Sequence, residues 1–273
     1  MIATLRNTIL SVLFLAGAVA PALADDDPTA ALKTAIDGPA RTPANKARDA
    51  ARHPLQELTF FGLRPDMTVV EIWPGGGWWT EILAPYLKDH GTYYVAQVDR
   101  NKLGAGGIKG YDAFTAKLKA DPAVYGKVNV TTLWGDKFAI APANSVDLIV
   151  TFRNLHNWME QGTADETLNT FYKALKPGGM LGIDDHRGRT DKHQDPTAAD
   201  GYVRQDYAIA LAEKAGFQWV GSSEMNANPR DTKDYPAGVW TLPPTLRLGD
   251  KDKEKYLAIG ESDVFTLLFM KPY

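Results

Sequence analysis

Two groups of residues in this chain have the types and spacing for chemistry. The first is Glu71-Ile72-Trp73-Pro74-Gly75-Gly76-Gly77, where an apolar run ends on a carboxylate and passes into three glycines. A stretch with helical spacing follows directly, carrying Trp79, Ile82, Leu83, Tyr86 and Leu87. Read as strand, tight turn and helix, such glycines accept positive φ and leave no Cβ between the main chain and a ligand, as in nucleotide-binding βαβ turns. A small-molecule cofactor is therefore expected. The second group is Phe152-Arg153-Asn154-Leu155-His156-Asn157-Trp158, joined by Asp184-Asp185-His186-Arg187-Gly188-Arg189 and then His193. Imidazole titrates near neutrality, so His156 or His186 can act as general base for an oxygen or nitrogen nucleophile, although a histidine taken singly more often holds structure or positions a substrate. Asp184, Asp185, His186 and His193 are possible metal donors. They lack H-E-x-x-H or comparable ligand spacing, so no metal is expected. A G-x-S-x-G elbow, a P-loop and cysteine are all missing, which argues against a hydrolase.

The elements that must hold these residues alternate along the chain. Strand-like runs occur at 68–72, 93–98, 128–133, 146–151, 180–184, 218–224 and 264–270, and helical spacing fits 79–88, 113–120, 164–175 and 202–215. Continuous apolar strands alternating with helices imply an α/β protein with a buried, mostly parallel sheet covered on both faces. The last two strands flank a Pro- and Gly-rich stretch, 228–249, and are expected to pair antiparallel at one sheet edge. Its aromatic part, Tyr235-Pro236, Val239-Trp240 and Leu242-Pro243-Pro244, suits packing over that edge, a lid or a dimer contact. Ligands in open α/β sheets bind at the carboxyl ends of the strands, where both groups fall.

In this order the motifs resemble those of the class I S-adenosylmethionine-dependent methyltransferases, over 58–273. Glu71 to Gly77 is similar to that family's acidic glycine motif. Val95-Ala96-Gln97-Val98-Asp99 resembles its second strand with an acidic end. Trp134-Gly135-Asp136 follows the third strand, Val146-Asp147-Leu148-Ile149-Val150 resembles the fourth, and Leu175-Lys176-Pro177-Gly178-Gly179-Met180-Leu181 matches L-K-P-G-G-x-L. The resemblance implies a Rossmann-like, doubly wound, seven-stranded sheet with an antiparallel edge strand, and S-adenosyl-L-methionine as cofactor. A carboxylate at a strand tip can accept both vicinal ribose hydroxyls, the expected role of Asp99. Glu71 is expected to orient the glycine turn and the cofactor's amino group, Asp136 to meet the adenine amino group, and Gly75 and Gly77 to allow close backbone approach. Arg153 falls beside the expected sulfonium. Trp73 stands where the family has its first glycine, and either walls the pocket or packs into the core. Catalysis is assigned to His156 and His186, and substrate binding to Asn154, Asp184 and Arg187.

The whole-chain properties bound this reading. The chain has 273 residues, 44% hydrophobic and 23% charged, enough for one α/β domain with a small extension. A net charge of −3 provides no broad cationic surface for nucleic acid. Residues 1–24 carry Arg6, an apolar run and Ala22-Leu23-Ala24, the pattern of a cleaved secretory signal peptide, with the mature chain starting at Asp25. The apolar core is shorter than the ~20 residues that span a bilayer, so no membrane span is expected after cleavage. Without cysteine the chain is no lipoprotein and needs no disulfide. Residues 25–57 read as a loosely held arm followed by a helix, 47–58, whose Arg48, Arg52 and His53 suit a solvated face better than a pocket mouth. The expected function is methyl transfer to a small acceptor by a periplasmic or secreted enzyme. The rival is a non-catalytic or repurposed Rossmann-like protein binding a metabolite or partner, since fold does not fix function and the cofactor is made in the cytoplasm.

Overall fold

The computed structural model describes residues 28–134 and 137–273, so the expected signal peptide and Asp136 lie outside the described residues. Among the described residues eight strands form one sheet: β1 (Thr68–Ile72), β2 (Thr92–Gln97), β3 (Asn129–Trp134), β4 (Lys137–Ala139), β5 (Val146–Phe152), β6 (Leu175–His186), β7 (Gln218–Ser223) and β8 (Val264–Met270). Their order is β4-β3-β2-β1-β5-β6-β8-β7. β3, β2, β1, β5 and β6 run parallel, while β8 is antiparallel to both β6 and β7. The sheet is thus the expected mostly parallel one with an antiparallel pair at one edge. It has eight strands rather than seven because the three-residue β4 turns back onto β3, too short to leave a periodic signal.

Burial on both faces explains the unbroken apolar strands. Val70, Ile72, Ile149, Leu181 and Phe265 belong to one core, which takes in Phe171 from the helix Ala164–Ala174. Val69, Val95, Leu148 and Val150 belong to the other, with Ile82 and Leu83 from Thr80–Leu87. The chain leaves β1 to β2 on one side and reaches β5 on the other, so strand order reverses beside β1. That switch point opens a crevice at the strands' carboxyl ends.

The arm expected to be loose is packed. Pro28–Asp37 is a helix whose Leu32 and Ile36 join the second core beside Leu58 and Phe61. The single helix expected at 47–58 is instead a run of short ones, Pro43–Lys46, Asp49–Arg52 and Pro54–Phe60, broken where His53 takes φ 41° ahead of Pro54. This segment is clamped to the glycine turn: Trp78 Nε1 donates to Asn45 O at 2.9 Å, and the guanidinium carbons of Arg41 and Arg52 lie 4.5 and 4.9 Å from the Trp78 ring. No helix among the described residues is long and apolar enough to cross a membrane.

Candidate active site

Beyond β1 the main chain makes a turn with positive φ at Trp73, Gly75 and Gly77. Glycine adopts such angles freely and tryptophan does not, so surrounding contacts must hold Trp73 there. Its amide donates to Ala96 O at 2.9 Å, its Nε1 to Leu133 O at 3.3 Å, and its ring meets Trp158 edge-on at 5.8 Å. Trp73 does both things the sequence left open: it packs against the core and walls a cavity of about 280 Å³. Glu71, Gly75, Gly76, Phe152, Arg153 and Asn154 also line that cavity. A Cβ on Gly75 or Gly76 would meet nothing within 4 Å, whereas one on Gly77 would come to 2.9 Å from the Phe114 ring. Gly75 and Gly76 thus present bare backbone, and Gly77 serves packing.

Glu71 is fully buried. Its Oε2 accepts from Thr80 Oγ1 at 2.7 Å and from the Tyr93 hydroxyl, while Oε1 has no hydrogen-bond partner. Burial pushes its pKa up to about 7, against the pull of those two hydrogen bonds. Asn154 is held to the frame, donating to Ile72 O at 3.0 Å and Thr151 Oγ1 at 3.2 Å. Asp99 is half-buried and caps the turn after β2, accepting from Asn101 N at 2.9 Å.

A second cavity of about 260 Å³ adjoins the first and is lined by His156, His186, Ser262 and the Trp240-Pro243-Pro244 segment. Alternation along β6 sends Asp184 and Asp185 to opposite faces. Asp185 accepts from His156 N at 2.9 Å, His156 Nδ1 at 2.8 Å and His186 N at 2.7 Å. Burial disfavours its charge, yet the His156 imidazole and these donors hold the carboxyl below its usual value. For His156, burial likewise opposes charge and Asp185 more than offsets it, so the pKa is raised. An ionised Asp185 requires the proton on Nδ1 and leaves Nε2 with its lone pair. His186, 5.2 Å away ring to ring, has Nδ1 2.6 Å from Ser262 Oγ. Burial pulls its pKa well below the usual imidazole value, keeping it neutral.

Arg48, Arg52 and Arg153 line both cavities. They converge on Glu261, which accepts from Arg48 Nε at 2.7 Å and Arg153 Nη1 at 2.6 Å and lies 3.8 Å from Arg52 Nε. Burial opposes its charge, but Arg153 and its neighbours lower its pKa to about 2. Asp184 Oδ2 is 3.9 Å from Arg153 Nε, and burial lifts Asp184 to about 6. Glu57, buried behind them, is pushed well above the usual range by burial and by Asp184.

The fold therefore brings Glu71, Trp73, Gly75, Arg153, Asn154, His156 and His186 to two adjoining cavities, with Asp184 behind Arg153. Gly77, Asp99 and Arg187 do not line them. Placed by the sequence with the substrate, Arg187 is committed to Glu224 at 2.6 Å and Val264 O at 3.2 Å. His193 lies in a separate surface hollow beside Arg189. His156, Asp185 and His186 are close enough together to hold a metal ion, with His156 in place of the Asp184 and His193 that the sequence offers, but every Asp185 oxygen is already engaged. Arg48 and Arg52, expected on a solvated face, instead wall the site. Glu261 and Ser262 carry no sequence signal of a site because they precede a strand; β8 runs antiparallel, so its beginning, not its end, reaches the carboxyl edge.

Comparison with protein-family models and with curated protein sequences finds no match. The fold is shared with solved structures. A SAM-dependent methyltransferase from Aquifex aeolicus superposes with TM-score 0.55 at 20% identity, over 90% of this chain and 98% of its own. The [4+2]-cyclase SpnF gives TM-score 0.55 at 15% identity over 89% and 92%. Phosphoethanolamine N-methyltransferase 2 of Haemonchus contortus, in complex with S-adenosyl-L-methionine, gives 0.50 at 17% identity over 81% of this chain and 53% of that one. The chain thus has the class I methyltransferase fold.

Proposed function

We propose that this protein transfers a methyl group from S-adenosyl-L-methionine to a small acceptor. The observation that carries the reading is Glu71 Oε1, buried without a partner at a cavity whose wall is the bare backbone of Gly75 and Gly76. A buried carboxylate oxygen without a donor is costly, and a ligand ammonium would satisfy it. The two glycines leave room for the adjoining part of the same ligand, and Asp99 at the neighbouring strand end is our candidate for the ribose hydroxyls. When bound, S-adenosyl-L-methionine supplies a methyl group activated by a sulfonium. The chain's own contribution is to align the acceptor and accept its proton. Alignment alone can supply much of the acceleration, and His156 Nε2, with Nδ1–H fixed on Asp185, is the base. Neutral His186 adds no competing charge beside it. From the N-terminal pattern we further propose export, with the mature chain starting at Asp25.

Isothermal titration tests the cofactor reading. S-adenosylhomocysteine should bind, and Asp99→Ala should weaken it by ~2 kcal/mol or more through lost charge-assisted hydrogen bonds. Neither heat nor thermal shift at millimolar ligand would favour a repurposed fold, a use of this architecture that the cyclase neighbour makes concrete.

A further inference from the structure

The second cavity, which holds the proposed base His156 and so serves as the acceptor chamber, has Arg48, Arg52, Arg153, His156 and His186 as its ionisable lining, with no Asp or Glu among the described residues of its walls. Behind those walls the hydrogen-bond acceptors are unevenly shared. Three guanidiniums share Glu261 as their hydrogen-bonding carboxylate: Asp184 comes only to 3.9 Å from Arg153, Asp185 is taken up by His156 and His186, and burial and Asp184 push Glu57 well above the usual carboxyl range. The shortfall falls on Arg52. Arg48 reaches Glu261 with two hydrogen bonds and Arg153 with one, whereas Arg52 approaches it only to 3.8 Å. The Nε atoms of Arg52 and Arg153 are both buried with no hydrogen-bond partner. Crowding by burial, Arg153 and Arg48 pulls Arg52 down to about 9, the mark of a cation short of an anion.

We propose that the chamber takes a small carboxylic acid, its carboxylate seated on Arg52 and its body against Trp240 and Pro243-Pro244. This rests on the methyl-transfer reading for the identity of the second ligand. A planar guanidinium matches a carboxylate in geometry as well as charge. The Trp240 ring lies edge-on to His156 at 6.1 Å, with Arg247 stacked on it at 4.4 Å, so an aromatic wall adjoins the basic one. A divalent cation on His156, Asp185 and His186 is the competing occupant. It would have to displace the donors that saturate Asp185 and sit beside three guanidiniums, and like charges at this range repel.

Benzoate and its neutral isostere benzamide are the probes, titrated into the full mature chain saturated with S-adenosylhomocysteine. Benzoate should bind at least tenfold more tightly than benzamide, and Arg52→Gln should weaken benzoate at least tenfold with little effect on benzamide; circular dichroism and Tm check that the variant folds. Failure of benzoate to bind, or equal binding of the two probes, overturns the proposal. So does benzoate binding to the ligand-free chain that saturating S-adenosylhomocysteine abolishes, which would assign the arginines to the cofactor's own carboxylate. Zn2+ binding that His156→Ala abolishes, with no preference for benzoate, overturns it in favour of a metal site. Should S-adenosylhomocysteine not bind at all while benzoate still depends on Arg52, the cofactor reading fails and the anion site stands.

Discussion

Glu71 is a carboxyl whose folded-state pKa, about 7, lies above its ordinary 4.5. Between those values the native state holds a proton that the unfolded chain releases, so this residue makes the protein less stable as pH rises from about 4.5 to 7. For a fully buried group the shift corresponds to about 3 kcal/mol. Glu71→Gln should therefore gain stability relative to wild type between pH 5 and 8, by chemical denaturation at each pH; a constant difference would refute the assignment. His156 obeys the opposite requirement, since a base must be unprotonated. With its pKa raised above 6.5, kcat should climb as pH passes through that raised value. Asp185→Asn removes the carboxylate that holds the imidazole up, so the rising limb should move to lower pH while kcat falls. His156→Ala should cost ~100-fold or more in kcat, once a radiolabel-transfer screen has supplied an acceptor. If His156→Ala and His186→Ala both keep full transfer, the chemistry lies elsewhere.

At the scale of elements, the strands and the glycine turn were legible because their signals are local. β1 and β8 fall on their expected residues, since an apolar run bounded by polar turns needs no distant partner to be recognised. The turn after β1 was visible from its glycines, but not the division of labour among them: that Gly75 meets open space and Gly77 meets Phe114 depends on a helix, Ala105–Ala120, nearly thirty residues downstream. Arg48 and Arg52 looked like surface residues because short helices broken at His53 show no apolar stripe. Their burial comes from Glu261 and Trp78. β6 hides a further contact. A Cβ on Gly182 would fall 2.7 Å from the Phe61 ring, where the N-terminal segment packs on the sheet. Gly182→Ala should cost ~1–3 kcal/mol by overpacking. Phe61→Leu should relieve part of that, giving a less than additive double-mutant cycle by denaturant unfolding; strict additivity would mean that the two do not touch.

For the molecule as a whole, the export proposal has a direct check. Expressed in a Gram-negative host, the protein should be recovered from the periplasm with Asp25 first, and an intact mass retaining residues 1–24 in that pool would reject cleavage. The arginine cluster has a different consequence. Arg48 and Glu261 meet across 213 positions of sequence, so the partition between the two chambers is among the longest loops the chain has to close. Closure of such a loop is entropically costly and is repaid only after the sheet has brought β8 beside β6. Until then three guanidiniums lack their shared carboxylate and repel one another. The cluster is thus a latch that the native strand order closes: β8 lying beside β6 is what carries Glu261 to all three cations.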